Sequence, residues 1–221
     1  MKFTKEFNDI LKHFFTINPH MYFKKGSVQD TLGSSQMFVR ANTNVEIDQE
    51  FGVANLGRLI QAIKICDNPD IEIDGADIVI SDKNKIIRLA QTLPEYLNYE
   101  GKPDRFKRPI GVEGKIDKDT FKSILEVQNV VQSTHISFIG EDEDFMIKVC
   151  SPTDFGSSSK DEAIFNIGRT DQSFIATIAS SNFLMKEDNY DIVIYRKGAV
   201  YLKSAIYEYF VSCDAKNSVL S

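Results

Sequence analysis

Two stretches of the chain carry the same pattern of apolar and polar positions. Phe7, Ile10, Leu11 and Phe14 recur at helical spacing after Thr4, and Phe121, Ile124 and Leu125 do so after Asp117. The offset is constant from Phe7 to Phe121, Ile10 to Ile124 and Leu11 to Leu125. Apolar positions at i, i+3, i+4 and i+7 make one buried stripe on an amphipathic helix. A hydroxyl or acid just before the stripe suits a helix N-cap. In both copies an apolar strand follows, at Met21 to Phe23 and at Ile136 to Ile139. A unit repeated at half the chain length predicts two similar domains.

Between the copies the pattern continues. Asn18-Pro19 ends the first helix. A turn at Lys24-Lys25-Gly26 and a strand over 36–41 follow. The spacing predicts a second helix over 55–65, with Leu56, Leu59, Ile60 and Ile63 inward and Arg58, Gln61 and Lys64 off the stripe. Gly57 within it is a poor helix former, costing about 1 kcal/mol against alanine. Ile71, Ile73 and then Ile78 to Ile80 alternate with acids around Asp74-Gly75, which predicts two half-exposed strands and a tight turn. Another strand is expected over 85–90. From Thr92 to Gly114, Pro94, Pro103 and Pro109 sit among charges and glycines. This predicts a connector at 94–112, dividing an N-terminal domain (1–108) from a C-terminal one (109–221).

The second half restarts with a helix over 118–130. Strands are expected over 134–139 and 145–150 around the acidic turn 141–144. A loop over 151–161, strands at 163–167 and 174–178 and a short helix at 180–185 come next. Three closing strands (190–196, 200–204, 207–213) and a frayed end complete the chain. Short helices separated by antiparallel strands define an α+β fold: two similar domains, each with an antiparallel sheet and two short helices.

Composition narrows the class. With 221 residues the chain holds two domains of ordinary size, and 42% hydrophobic with 26% charged residues is usual for a globular protein. The net charge of −6 argues against a wholly basic surface, though not against one basic face on an acidic body. Cys66, Cys150 and Cys213 are odd in number and far apart, which suits free thiols in a reducing compartment. No apolar run approaches the roughly 20 residues that span a bilayer. The start MKFTKEFND lacks the apolar core of a signal peptide. The expectation is a cytoplasmic protein with no membrane contact.

Catalytic signatures are missing. The sequence holds no Walker-type phosphate loop, no GxGxxG and no GxSxG. His13, His20 and His135 have no ligand spacing to one another or to the cysteines. The run from Asp70 to Gly75 opens like a calcium loop, but Ser81 stands where the twelfth-position acid belongs. The expectation is a non-enzyme with no cofactor and no metal.

What remains is a segregation of charge. Lys5 and Lys12 lie off the first stripe, Arg58 and Lys64 off the second, Lys118 and Lys122 off the third, and Lys186 ends the fourth predicted helix. Acids gather instead in strands and turns: Asp70, Glu72, Asp74, Asp77 and 141–144. Such helices can attract phosphates without reading sequence. No helix clusters Arg, Asn and Gln on one exposed face, as base reading requires.

Several segments carry a resemblance: ILKHFFTIN at 10–18, FGVANLGRLIQAIKICD at 51–67, the stretch 116–139, NFLMKEDNYDIVIY at 182–195 and IYEYFVSCDA at 206–215. In these, in order, the chain resembles the sliding clamps (DNA polymerase processivity factors) of T-even-type tailed phages, within the proliferating cell nuclear antigen type of clamp. The resemblance implies a homotrimeric ring closed by head-to-tail pairing of edge strands, with helices facing duplex DNA and sheets on the rim. It implies an ATP-driven clamp loader as partner, a DNA polymerase C-terminal peptide in a hydrophobic pocket, and late-transcription factors as further partners in the cytoplasm of an infected bacterial host. By the same resemblance the pocket should draw on Val39, Ala41, Ile110, Val112, Phe210 and Ser212. The basic connector, with Lys102, Arg105, Lys107 and Arg108, departs from the family pattern. The competing expectation is a monomeric, sequence-independent single-stranded DNA-binding protein. It would use aromatics interleaved with cations, at Tyr22-Phe23-Lys24-Lys25 and Tyr195-Arg196-Lys197.

Overall fold

A side-chain cap starts each of the three α-helices found among the described residues. The structure is a computed structural model describing residues 1–33, 36–97, 111–150 and 161–220. It divides into two units, Met1–Pro103 and Asp104–Ser221.

In the first unit, helix α1 (Lys5–Ile17) begins where Thr4 Oγ1 accepts from the Phe7 N–H at 3.1 Å. The same hydroxyl donates to Asn44 Oδ1 at 2.9 Å and so ties the start of α1 to strand β3 (Met37–Ile47). Phe7, Ile10, Leu11 and Phe14 are buried as the stripe predicts, and His13 is buried with them. Strand β1 (Met21–Phe23) pairs antiparallel with β4 (Phe51–Val53), and Phe23 stacks on Phe51 with centroids 4.3 Å apart. Strand β2 (Gly26–Leu32) pairs with β3 in a run where the pattern predicts no strand. Helix α2 (Leu56–Ile65) is capped by Asn55, whose Oδ1 accepts from the Arg58 N–H at 3.1 Å. It packs against α1, while α1 also packs across β3. A meander of β5 (Asp70–Asp74), β6 (Asp77–Ser81) and β7 (Ile86–Ala90) completes the unit. Gly75 takes φ +58 at the predicted turn, a conformation that costs glycine little.

In the second unit, β8 (Gly111–Ile116) starts at the end of the stretch expected to be connector and runs past it. Helix α3 (Lys118–Val130) starts where Asp117 Oδ1 accepts from the Thr120 N–H at 2.8 Å. Strands β9 (His135–Glu141) and β10 (Asp144–Cys150) form a hairpin through Asp142 at φ 51 and Glu143 at φ 66. Two left-handed residues in a two-residue loop match the twist of the flanking strands. With β11 (Glu162–Arg169), β12 (Phe174–Ala179) and β16 (Val219–Leu220), the sheet runs β11-β10-β9-β12-β16. Strands β13 (Tyr190–Tyr195), β14 (Ala199–Lys203) and β15 (Tyr207–Ser212) join β8 in the order β15-β14-β13-β8. Phe121 of α3 packs on Tyr190 and Phe183, with centroids 4.8 Å and 5.3 Å away.

Two expectations are corrected here. The helix predicted at 180–185 is only a 3-10 turn over Ser180–Asn182. Phe183 and Met185 are buried while Leu184 is exposed, an alternation of period two that no helix gives. The C-terminus is pinned, not frayed: the Asp214 N–H donates to Thr177 O at 2.7 Å, the Thr177 hydroxyl to Asn217 O at 2.8 Å, and β16 pairs with β12. Among the described residues, no helix is long and apolar enough to cross a membrane.

Candidate nucleic-acid interface

The cations expected on α1 and α2 are all exposed, as their place off the buried stripes requires. Lys5 and Lys12 on α1 and Lys64 on α2 line one groove between the two helices, about 380 Å³ in volume. Arg58 is exposed on α2 and does not line it. Lys12 pairs with Asp9 at 2.8 Å. Lys5, Arg58 and Lys64 have no ion pair among the described residues, so their charge is available to an anion.

The second unit is more nearly neutral on its helix. Lys118 Nζ stands 3.6 Å from Glu187 and Lys122 Nζ 3.8 Å from Glu126. Asp117 adds an anion at the start of α3. The Thr120 N–H and hydroxyl hold its carboxyl below the ordinary carboxylate range. Lys186 is exposed, but it follows the 3-10 turn instead of ending a helix. The anion-attracting face is therefore stronger in the first unit, and of the acids that make the difference only Glu187 comes from outside α3 and its cap.

Five of the six residues expected to form a pocket are described, two in the first unit and three in the second. Ile110 lies outside the described residues, as does nearly all of the basic connector. Val39 and Ala41 are fully buried on the face of β3 beneath α1, so they belong to the core; Arg40 and Asn42 take the alternate positions. In the second unit, register puts Val112 in one row with Ile194, Val200 and Val211, all buried. Phe210 is paired with Tyr201, and Tyr201 with Val193, on the opposite face. Ser212 shares that second face with Phe210. Phe210 also meets Tyr195, centroids 6.5 Å apart. A pocket on this sheet can use Phe210 and Ser212, but not Val112 from the same side.

The aromatic–cation runs are occupied structurally. Phe23 is fully buried, the Tyr22 hydroxyl donates to Glu50 at 2.8 Å and Lys24 pairs with Asp30 at 2.8 Å. Arg196 donates to Gln172 Oε1 at 2.8 Å. His135 lies 3.5 Å from Asp214, and among the described residues no cluster of three His, Cys, Asp or Glu could hold a metal ion. Burial pushes the Cys213 thiol up to about 12.

Two features are not visible in the sequence. Among the described residues, strands β7 and β11 each pair on one side only, β7 with β6 and β11 with β10. Both are rich in apolar residues, yet neither has one buried residue; Ile86 is 68% exposed and Ile164 55%. The signal lies in the short runs IIRLA and AIFNI, whose strand character is visible but whose edge position is not.

By sequence, no protein-family model and no curated protein matches the chain. By fold it is similar to clamp structures over almost its whole length. One is the structure of the C-terminal region of FEN-1 bound to A. fulgidus PCNA, with a TM-score of 0.66, 13% identity, and coverage of 94% of this chain and 94% of that chain. PCNA from Thermococcus kodakaraensis gives a TM-score of 0.63 at 13% identity, covering 95% and 96%. DNA polymerase III subunit beta from Borrelia burgdorferi gives 0.69 at 10% identity, covering 94% of this chain but only 61% of that chain. At these identities the likeness is one of fold: the chain has the α+β architecture of the DNA clamps.

Proposed function

We propose that this chain is a sliding clamp, a ring that encircles duplex DNA and tethers a DNA polymerase. The observation that carries the reading is the pair of edge strands β7 and β11, one in each unit, apolar and unburied. A free apolar edge is a template for strand pairing, which proteins normally blunt. Two different edges on one chain suit a heterologous, head-to-tail contact, and such contacts close into rings when the rotation allows. The end-to-end fold likeness to PCNA chains supports the same reading. The number of copies, three, comes from the resemblance to T-even-type clamps.

In such a ring the exposed cations Lys5, Lys12, Arg58, Lys64, Lys118, Lys122 and Lys186 face DNA phosphates. Topology holds the ring on DNA, so the contacts can be weak enough to slide, and a tethered polymerase gains effective concentration at the primer end. The PCNA of the first structure is bound to a C-terminal region of FEN-1. By analogy this chain holds its polymerase's C-terminal peptide on the sheet face with Phe210 and Ser212. An ATP-driven loader would open the ring. Late-transcription factors and an infected bacterial cytoplasm complete the proposal by resemblance. The single-strand-binding alternative is weakened at its first run, where Phe23 is buried against Phe51, and keeps only the half-exposed Tyr195 in its second.

Light scattering across a dilution series tests the ring. Three chains of 25.0 kDa would give about 75 kDa, dissociating on dilution without changing fold. A monomer at high concentration would remove the ring and the mechanism with it.

A further inference from the structure

The groove between α1 and α2 holds more chemistry than backbone contact needs. Lys5, Lys12 and Lys64 line it, Lys12 in a pair with Asp9 at 2.8 Å, and none of its described lining residues is a carboxylate, on a chain whose net charge is −6. Phe3 and Ile60 give it an apolar wall. The Phe3 ring is set edge-on to Phe7 at 4.5 Å and stacked on Phe23 at 6.1 Å, which fixes its plane. Asn8, also in the lining, has a side-chain oxygen shielded from water with no hydrogen-bond partner. Buried polar atoms are almost always satisfied, so an unsatisfied one in a side chain beside a groove gains a partner when the amide turns toward a ligand's donor. A volume near 380 Å³ is within the range of small-molecule sites.

We propose that this groove takes a single unstacked nucleotide, its base against Phe3 and Ile60 with an edge donor on Asn8, its phosphate among Lys5, Lys12 and Lys64. Cations, an apolar wall and one amide suit an anion carrying a flat, apolar body with a polar edge. Choosing a nucleotide over other amphiphilic anions rests on the clamp reading, which brings DNA to these helices. An unpaired base is the form that can leave the stack at little cost. Aromatic and apolar side chains accept it whatever its sequence.

The test titrates the full chain into 2-aminopurine deoxyriboside monophosphate and follows its fluorescence. The expected result is a saturable change, competed by dAMP and not by equal inorganic phosphate or decanoate. Asn8→Leu should weaken binding about tenfold while leaving Tm equal or higher, because it removes an unsatisfied buried group. Ile60→Trp, with unchanged molar mass and circular dichroism, should abolish the change. No saturable signal, or a signal indifferent to both variants, overturns the proposal. Competition by decanoate as strong as by dAMP also overturns it, in favour of an acyl-anion site. The outcome separates from the clamp reading: a trimer that binds no nucleotide sinks the groove alone, and a monomer that binds it sinks the ring alone.

Discussion

The ring of Phe145 fills the space in which a side chain at Gly114 would stand. A Cβ on Gly114 would lie 2.9 Å from Phe145 Cδ1 and closer still to Cε1. Gly114 occupies the core face of β8 beside Val112 and Ile116, opposite Ile192, and Phe145 reaches it from β10, set edge-on to Phe174 at 5.5 Å. Gly114→Ala should therefore overpack the second unit, lowering stability by about 1–3 kcal/mol. Phe145→Leu in the same chain should recover part of that loss, a positive coupling in a double-mutant cycle read by thermal unfolding. Additive losses would mean that β8 shifts away from β10 instead.

The glycines explain why β8 is illegible in the sequence: GVEG looks like linker until the Phe145 ring is known to need the space. Strand β2 is hidden for a different reason. Its inward positions are Gln29 and Thr31, both buried, so no apolar alternation marks it. Gln29 is satisfied locally, its amide donating to Lys24 O at 2.8 Å and Gly26 O at 3.0 Å while its oxygen accepts from the Lys24 N–H at 3.0 Å. The three helices are legible because caps and stripes are local signals. The pocket is not, because β13 and β14 are apolar on both faces and only register says which face Val112 shares. For the cations, exposure can be read from the stripes, and so can the partners Asp9 and Glu126 on the same helices, but Glu187, which comes from another element, cannot.

Asp82 is the group whose titration should show in stability. Its Oδ2 accepts from the Asp67 N–H at 2.8 Å, and its Oδ1 from the Asn84 and Lys85 N–H groups at 2.7 Å and 2.8 Å. These bonds, that of Asp67 foremost, lower its carboxyl to about 2. A carboxyl depressed on folding contributes stability above its unfolded value, 3.8, and loses it as pH falls through about 2. Asp82→Asn should lower Tm at neutral pH, and the gap from the parent should close between about pH 4 and pH 2. A gap independent of pH would show that the loss is one of loop packing and not of charge.

The edges β7 and β11 predict an experiment with two variants. Ile86→Lys and Ile164→Lys each place a charge on one exposed edge, a common natural block to strand pairing. Alone, each should reduce the oligomer to monomer at concentrations where the parent is trimeric, with circular dichroism unchanged. Mixed in equal amounts they should form dimers, since one variant keeps β11 and the other keeps β7, which allows one native junction but no closed ring. A like-to-like interface predicts otherwise: each variant alone would dimerise through its untouched edge. Molar mass by light scattering decides between them.

The last prediction turns on unequal neutralisation. Lys5 and Lys64 have no ion pair among the described residues, whereas Lys118 and Lys122 stand 3.6 Å and 3.8 Å from Glu187 and Glu126. Exposed pairs of this kind contribute little to stability, about 0–1 kcal/mol, but each must be broken before its lysine serves a phosphate. Lys5→Glu with Lys64→Glu should therefore weaken DNA association more than Lys118→Glu with Lys122→Glu, with molar mass unchanged in both. Salt separates the causes: for each phosphate that a lysine no longer neutralises, the slope of log affinity against log salt falls by about 0.9. Counted per chain of the ring, the first double variant should flatten the slope by nearly twice that amount and the second by less. Equal slopes for both would mean that DNA meets the two units alike and that Glu187 and Glu126 give way without measurable penalty.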